Sequence, residues 1–199
     1  MKSDTRIADV SRETRDKLAV YERLLKTWSA KINLVAPNTL ANLQSRHFED
    51  SAQLLDLAND GGHWVDLGSG GGFPGLILAL IDPTRRYTLV ESDLRKSLFL
   101  KEVARETDTV VEVINNRIER IKPLNADILS ARALAPLDRL LTFAERHGNS
   151  KTQLIFPKGR SYREELANAQ RSWDLSYEIH PSRTSDDSVI ITIDRAIHV

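Results

Sequence analysis

The sequence predicts an α/β fold: a doubly wound, seven-stranded sheet whose last strand runs antiparallel, preceded by a helical N-terminal extension. Three observations predict it. The first sixty residues carry helical periodicity and no strand pattern. From His63 onward, short β-branched runs alternate with helical patterns, as parallel strands joined by helical crossovers do. The last two runs, LSYEIHP and SVIITIDRA, leave no room for a helix between them, so they form a hairpin and the final strand opposes the others.

Each element follows from its own stretch. Leu18, Tyr21, Leu25, Trp28 and Ile32 recur at steps of three and four and make one helical stripe. Pro37 disfavours a helical conformation at Ala36 and breaks the helix. Thr39 is placed to cap a second helix with Leu40, Leu43, His47, Asp50, Leu54 and Leu57 on one face, ended by Asn59-Asp60-Gly61-Gly62. WVDL (64–67) is the first strand; a glycine-rich turn and a helix over 74–81 follow. RYTLVE (86–91) is the second strand, with a helix over 93–107, and VVEVIN (110–115) is the third, with a turn of helix at 117–121. ADILSARA (126–133) is the fourth strand, with a helix over 136–146, and TQLIFP (152–157) is the fifth, with a helix over 162–173. The chain therefore divides into a helical region, 1–60, and a domain over 61–199 that forms a single globular unit.

Composition narrows the class. A length of 199 residues suits one domain with an appendage. The longest apolar stretch, Leu76 to Ile81, is far too short to span a bilayer, and the N-terminus lacks the layout of a signal peptide. The absence of cysteine excludes disulfides, thiolate nucleophiles and cysteine metal sites, and no metal is expected. A cytoplasmic protein, acting as a monomer and away from membranes, is the expectation. Formal net charge is zero, so a nucleic-acid partner requires a local basic patch.

Gly68, Gly70, Gly71, Gly72 and Gly75 lie between two apolar runs, where a tight turn or the close approach of a ligand to backbone demands glycine. Gly70, Gly72 and Gly75 match G-x-G-x-x-G after a strand and before a helix, a context shared by dinucleotide sites and S-adenosylmethionine sites. Asp66 separates them. A carboxylate two residues before the first glycine repels a pyrophosphate and attracts the ammonium and sulfonium of S-adenosylmethionine. Glu91, at the end of the second strand, is placed to accept from ribose hydroxyls. With the antiparallel last strand, these residues point to a Rossmann-like class I methyltransferase that uses S-adenosylmethionine.

What is missing narrows the acceptor. Methylation at carbon-5 of a pyrimidine needs a nucleophilic cysteine, and there is none. Exocyclic amines usually call for an Asn/Asp-Pro-Pro-aromatic motif after the fourth strand, where this chain reads SARALAPL. Guanine N7 already bears an in-plane lone pair and requires placement, not a general base.

Several motifs in order carry a family resemblance over residues 20 to 160. DLGSGGGFPG resembles D-x-G-[ST]-G-x-G-x-P-G, RHFEDS (46–51) resembles R-H-x-x-D-S, and WSAKINL (28–34) resembles W-N-x-x-x-N-L with Ser29 in place of asparagine. NNRIERI, SARALAPL and FPKG resemble its later landmarks. The chain thereby resembles the bacterial 16S ribosomal RNA guanine-N7 methyltransferases (RsmG/GidB). The resemblance implies that it methylates N7 of a guanine in 16S ribosomal RNA, with free RNA or the small ribosomal subunit as partner. The alternative is a methyltransferase acting on another RNA, a protein or a small molecule. It also implies that Gly68 and Phe73 contact the cofactor in the glycine loop, that Ile118 and Glu119 lie beside the adenine, and that Arg132 belongs to the donor site. Where the family has Asp-Ser-x-x-Lys, this chain has Glu91-Ser92-Asp93-Leu94-Arg95-Lys96, one residue longer.

The candidate catalytic residues are Arg132, His47 and Lys158, each with a structural alternative. His47 and Asp50 form either a buried hydrogen bond tying the N-terminal helices to the sheet or part of the active site. Arg132 lies near the cofactor carboxylate or an RNA phosphate, or else forms an ion pair with Asp127 or Glu119. Lys158 and Arg160 follow the fifth strand, where parallel sheets place ligands, and either bind phosphate or stay solvated. Glu119 is otherwise a solvated helix residue.

Overall fold

A computed structural model describes residues 5–199. Its sheet has seven strands in the order β3-β2-β1-β4-β5-β7-β6. They are β1 (His63–Leu67), β2 (Arg86–Val90), β3 (Glu112–Ile114), β4 (Ala126–Ala131), β5 (Gly148–Lys158), β6 (Trp173–Pro181) and β7 (Val189–His198). β1 to β5 are parallel, and β7 pairs antiparallel with both β5 and β6. The helices are α1 (Arg12–Ser29), α2 (Asp50–Ala52), α3 (Leu54–Leu57), α4 (Gly75–Ile81), α5 (Leu94–Glu106), α6 (Leu137–His147) and α7 (Tyr162–Ala169).

Strand residues alternate between two buried faces. Trp64, Leu89, Tyr87 and Ile128 join the clusters under α1, α4 and α5, whereas Val65, Leu67, Val90, Leu129 and Ala131 join the cluster under α6 and α7. This period of two, apolar on both sides, is why these runs are nearly continuous hydrophobic stretches. No helix among the described residues is long and apolar enough to cross a membrane.

The N-terminal region departs from two regular helices. Ser11 caps α1, its Oγ accepting from the Thr14 amide at 3.0 Å, and α1 buries Leu18, Tyr21 and Leu25. It ends at Ser29, so Ile32 packs on the same cluster from the following turn rather than from the helix. Thr39 is not a cap. The helical segment opens at Pro37 as a 3-10 stretch, Pro37–Asn42, and passes through a π-helical turn, Gln44–Glu49, into α2 and α3. A π turn inserts an extra residue per turn, which rotates His47 and Asp50 away from the face that Leu43 and Leu54 bury.

Tyr21 joins this region to the sheet. It is fully buried, its hydroxyl donates to the Gly71 carbonyl, and its ring stacks on Phe48 at 5.4 Å and Phe73 at 5.7 Å. Strand register then sets out the site. Leu67 is level with Val90 on one side and Ala131 on the other, so Gly68, Glu91 and Arg132 leave the sheet side by side. The chain winds one way from β1 to β3 and the other way from β4, which makes this the switch point where such sheets bind ligands.

Candidate active site

The start of the glycine loop is held by the end of β2 and the residue after it, Glu91. Gly68 and Ser69 donate backbone N–H groups to the Val90 carbonyl at 2.8 and 3.1 Å. Gly70 then donates to Glu91 Oε2 at 2.8 Å, and Asp93 N–H donates to Oε1 at 2.7 Å. Gly68 and Gly70 have φ of +68° and +56°, a backbone that an L side chain strains to adopt.

Gly68, Gly70, Glu91, Ile118, Glu119 and Arg132 line one cavity of about 460 Å³, within the range of small-molecule sites. These sequence candidates therefore come together. Each Glu91 oxygen accepts one backbone bond and keeps a second lone pair for a ligand hydroxyl. Lys96 also lines the wall, despite the extra residue before it, together with Asn116, Arg117 and Arg139. Asn116 and Arg117 stand in the NNRIERI stretch; nothing local in the sequence marks Arg139. Glu119 is exposed and pairs with Arg139 at 3.0 Å.

Asp66, Gly72 and Phe73 sit elsewhere. Asp66 is fully buried beneath the loop, where Oδ2 accepts from the Gly75 amide at 3.2 Å and Oδ1 from Ser130 Oγ at 2.8 Å. Ser130 in turn accepts from Trp64 Nε1 at 2.9 Å. Burial pushes the Asp66 carboxyl up to about 6, against the lowering effect of its hydrogen bonds. Asp66 therefore shapes the loop from behind instead of meeting a ligand's cation directly. Gly72 faces the Tyr21 hydroxyl and Leu100, and a Cβ there would collide with that hydroxyl. Phe73 is buried in the aromatic cluster, its ring 4.9 Å from that of His47.

A second cavity, about 400 Å³, opens on the other side of the Arg132–Ala135 segment. Asp50, Lys158, Glu165, Ser182 and Ser188 line it, and Arg132 to Ala135 line both cavities. Ala133 holds φ of +53° at this divide, a strained conformation of the kind found at functional sites. Asp50 enters as a site residue of its own, and sequence reasoning missed Glu165, Ser182 and Ser188; the bonds that bring them here span long separations with no local signal.

Arg132 connects the two N-terminal candidates. Its NH1 is 3.1 Å from Asp50 Oδ2, its NH2 donates to His47 Nδ1 at 2.9 Å, and its guanidinium lies over the Phe73 ring at 4.9 Å. Of the two alternatives for His47 and Asp50, the direct hydrogen bond is replaced by this bridge, because the π turn aims both side chains at the arginine. The ion-pair partner is likewise Asp50, not Asp127 or Glu119: Asp127 accepts from the Gly62 and His63 amides, and Glu119 is taken by Arg139. A guanidinium only donates, so His47 Nδ1 is the acceptor and Nε2–H donates to Thr39 Oγ1 at 2.9 Å. Burial, and then the charge of Arg132, lower the His47 pKa to about 4.

Lys158 is not solvated. Its side chain is 8% exposed, and Nζ lies 2.7 Å from Glu165 Oε2 and 3.0 Å from the Ala135 carbonyl, so it braces the segment between the cavities. Arg160 is exposed and pairs with Asp187. Among the described residues no cluster of His, Asp or Glu could hold a metal ion.

Glu91→Gln is expected to weaken cofactor binding by about 1–3 kcal/mol, the range for losing a charged acceptor. The amide would set an NH₂ against one of the backbone donors that Glu91 now accepts. Calorimetry with S-adenosylmethionine reads the effect; unchanged affinity would take Glu91 out of the site.

The family described as rRNA small subunit methyltransferase G (GidB) matches residues 14–188. A protein from Ruegeria sp. (strain TM1040) named ribosomal RNA small subunit methyltransferase G is 47% identical over 189 residues, covering 93% of this chain and 92% of its own length. One of the same name from Paramagnetospirillum magneticum is 49% identical over 183 residues, covering 92% and 89%. A crystal structure of a SAM-dependent methyltransferase from Aquifex aeolicus superposes with a TM-score of 0.61 at 10% identity, over 86% of this chain and 97% of that one. At that identity the likeness is one of fold.

Proposed function

This chain belongs to the rRNA small subunit methyltransferase G family, and from that premise we propose that it uses S-adenosylmethionine to methylate N7 of a guanine in 16S ribosomal RNA. The cavity beside the glycine loop is the cofactor site. Gly68 and Gly70 admit the ligand to bare backbone, Glu91 accepts from the ribose hydroxyls, and Ile118 and Glu119 flank the adenine. S-adenosylmethionine supplies an electrophilic methyl group on a sulfonium. The second cavity takes the acceptor base, and Arg132 to Ala135 form the divide across which the methyl passes.

One observation carries the choice of acceptor: every titratable group at the divide already has a partner. His47 Nδ1 accepts from Arg132, Asp50 is paired with Arg132, and Glu165 with Lys158. An amine or hydroxyl acceptor would need one of them to take a proton, whereas the lone pair of guanine N7 attacks without proton removal. The ring becomes cationic as the bond forms. A lone guanidinium would oppose that charge, and Asp50 neutralises Arg132 at 3.1 Å. Both cavities are walled by one chain, which supports a monomer as the working unit, and an rRNA substrate supports a cytoplasmic setting.

The test is methyl transfer from labelled S-adenosylmethionine to purified small subunits, free 16S rRNA, cell proteins and metabolites. The methyl should be found at guanine N7 in rRNA; label in protein or metabolites would overturn the reading. A pH prediction accompanies it. With His47 titrating near 4, single-turnover transfer should stay flat from about pH 6 to 8, and a rise abolished by His47→Ala would make His47 a base. The depressed pKa also means that the folded protein binds fewer protons than the unfolded chain between about 4 and 6.5. Its contribution to stability is thus present above that window and lost as pH falls through it. Asp66, raised to about 6, acts with the opposite sign, so urea midpoints are compared with those of His47→Gln, which should fall less on acidification.

A further inference from the structure

The wall of the cofactor cavity at Ile118 is a short piece of 3-10 helix, Ile118–Arg120, that belongs to no strand. Among the described residues, its one backbone–backbone hydrogen bond runs from the Arg120 amide to the Arg117 carbonyl. Among the described residues, the Arg117 amide donates to the adjacent Asn116 Oδ1 at 2.8 Å, and the other hydrogen bonds that leave 117–121 end on α6. Arg139 pairs with Glu119, Arg146 NH2 donates to the Ile121 carbonyl at 2.8 Å, and His147 Nε2 lies 3.0 Å from the Ile118 carbonyl.

His147 is the buried member of this set. It is 0% exposed, and because a carbonyl only accepts, Nε2 carries the proton. Nδ1 is left as a buried lone pair with no hydrogen-bond partner. An apolar residue would fill the space without that cost of roughly 1–3 kcal/mol. The imidazole is therefore retained for what Nε2 does, which is to satisfy and fix one carbonyl directly behind the cavity wall. Burial holds the ring below the ordinary imidazole range, so it is neutral near pH 7.

We propose that His147 is a positioning residue for the cofactor: through the Ile118 carbonyl it sets the wall against which the adenine end packs. This rests on the assignment of the cavity to S-adenosylmethionine. The residue is remote from the acceptor cavity, so its loss should act on cofactor binding alone.

The experiment compares wild type, His147→Met and His147→Gln by calorimetry with S-adenosylmethionine and by steady-state methyl transfer to small subunits. Glutamine can present its amide N–H where Nε2 stands; methionine fills the space without a donor. His147→Met should weaken cofactor affinity about tenfold, with kcat at saturating cofactor and KM for the subunit unchanged, and His147→Gln should restore most of the affinity. Equal losses in both variants, no loss in His147→Met, or an equal change in kcat or in KM for the subunit would each overturn the proposal. Should His147→Met fail to fold, His147→Leu, which likewise removes the donor to the Ile118 carbonyl, takes its place, and unchanged affinity there overturns the proposal. If wild type itself binds no S-adenosylmethionine, it is the cavity assignment that has failed, and the inference falls with it.

Discussion

Gly70→Val is expected to abolish measurable binding of S-adenosylmethionine while leaving the protein folded. Two effects act together. At φ of +56° a β-branched residue is strained by roughly 1–2 kcal/mol. A Cβ at this position meets nothing nearer than the Gly68 carbonyl oxygen at 3.8 Å, so the substitution is not resisted by the fold. The side chain instead projects into the open cavity, where valine methyls occupy the space a ligand needs to reach the backbone. A loss of affinity of about 100-fold or more corresponds to roughly 2.7 kcal/mol, well within the reach of a direct clash. Calorimetry measures it, with thermal melting to show that the fold survives a modest drop in midpoint. Affinity within threefold of wild type would mean that the ligand does not approach Gly70.

Arg132→Ala should slow single-turnover methyl transfer by about 100-fold or more, because a small displacement of reacting groups has that consequence. The arginine lines both cavities and fixes His47, Asp50 and the Phe73 ring at once. Its removal leaves Asp50 a largely buried carboxylate without its cation, so stability should fall as well. The two losses can be separated. Adding Asp50→Asn to Arg132→Ala should recover stability, since the orphaned charge is gone, and should not recover transfer. Arg132→Lys should not rescue transfer either, because an ammonium cannot bridge His47 and Asp50 with a planar fork. Transfer within threefold of wild type in Arg132→Ala, or its recovery in the double variant, would remove Arg132 from the reaction.

Legibility in the sequence follows the range of the interaction. Strand, glycine turn and helix at 63–81 are readable because periodicity and glycine are local signals, and Gly68, Gly70 and Glu91 come with them. The segment 37–57 is not, since a π turn leaves the apolar spacing nearly unchanged while rotating His47 and Asp50 toward Arg132. Asp66 is singled out by its place before the glycine loop, but its burial behind that loop depends on the Gly75 amide and on Ser130, 64 residues away. Asp50 meets Arg132 and Thr184 across 82 and 134 residues, and nothing in the neighbourhood of any of the three announces the contact. His147 sits in a regular helix, and nothing local announces that its ring meets the Ile118 carbonyl, 29 residues away.

The place of β7 between β5 and β6 has a consequence for how the chain is made. β6 is synthesised before β7, yet touches the sheet only through it. A nascent chain can therefore pair β1 to β5 as they emerge, while β6 waits and then docks with β7 as a hairpin. Every residue lining the cavity beside the glycine loop precedes β5, whereas the second cavity is also lined by Ser182, Ser188 and Val189 from the hairpin. The growing polypeptide thus completes the wall of the first cavity before the hairpin can close the second.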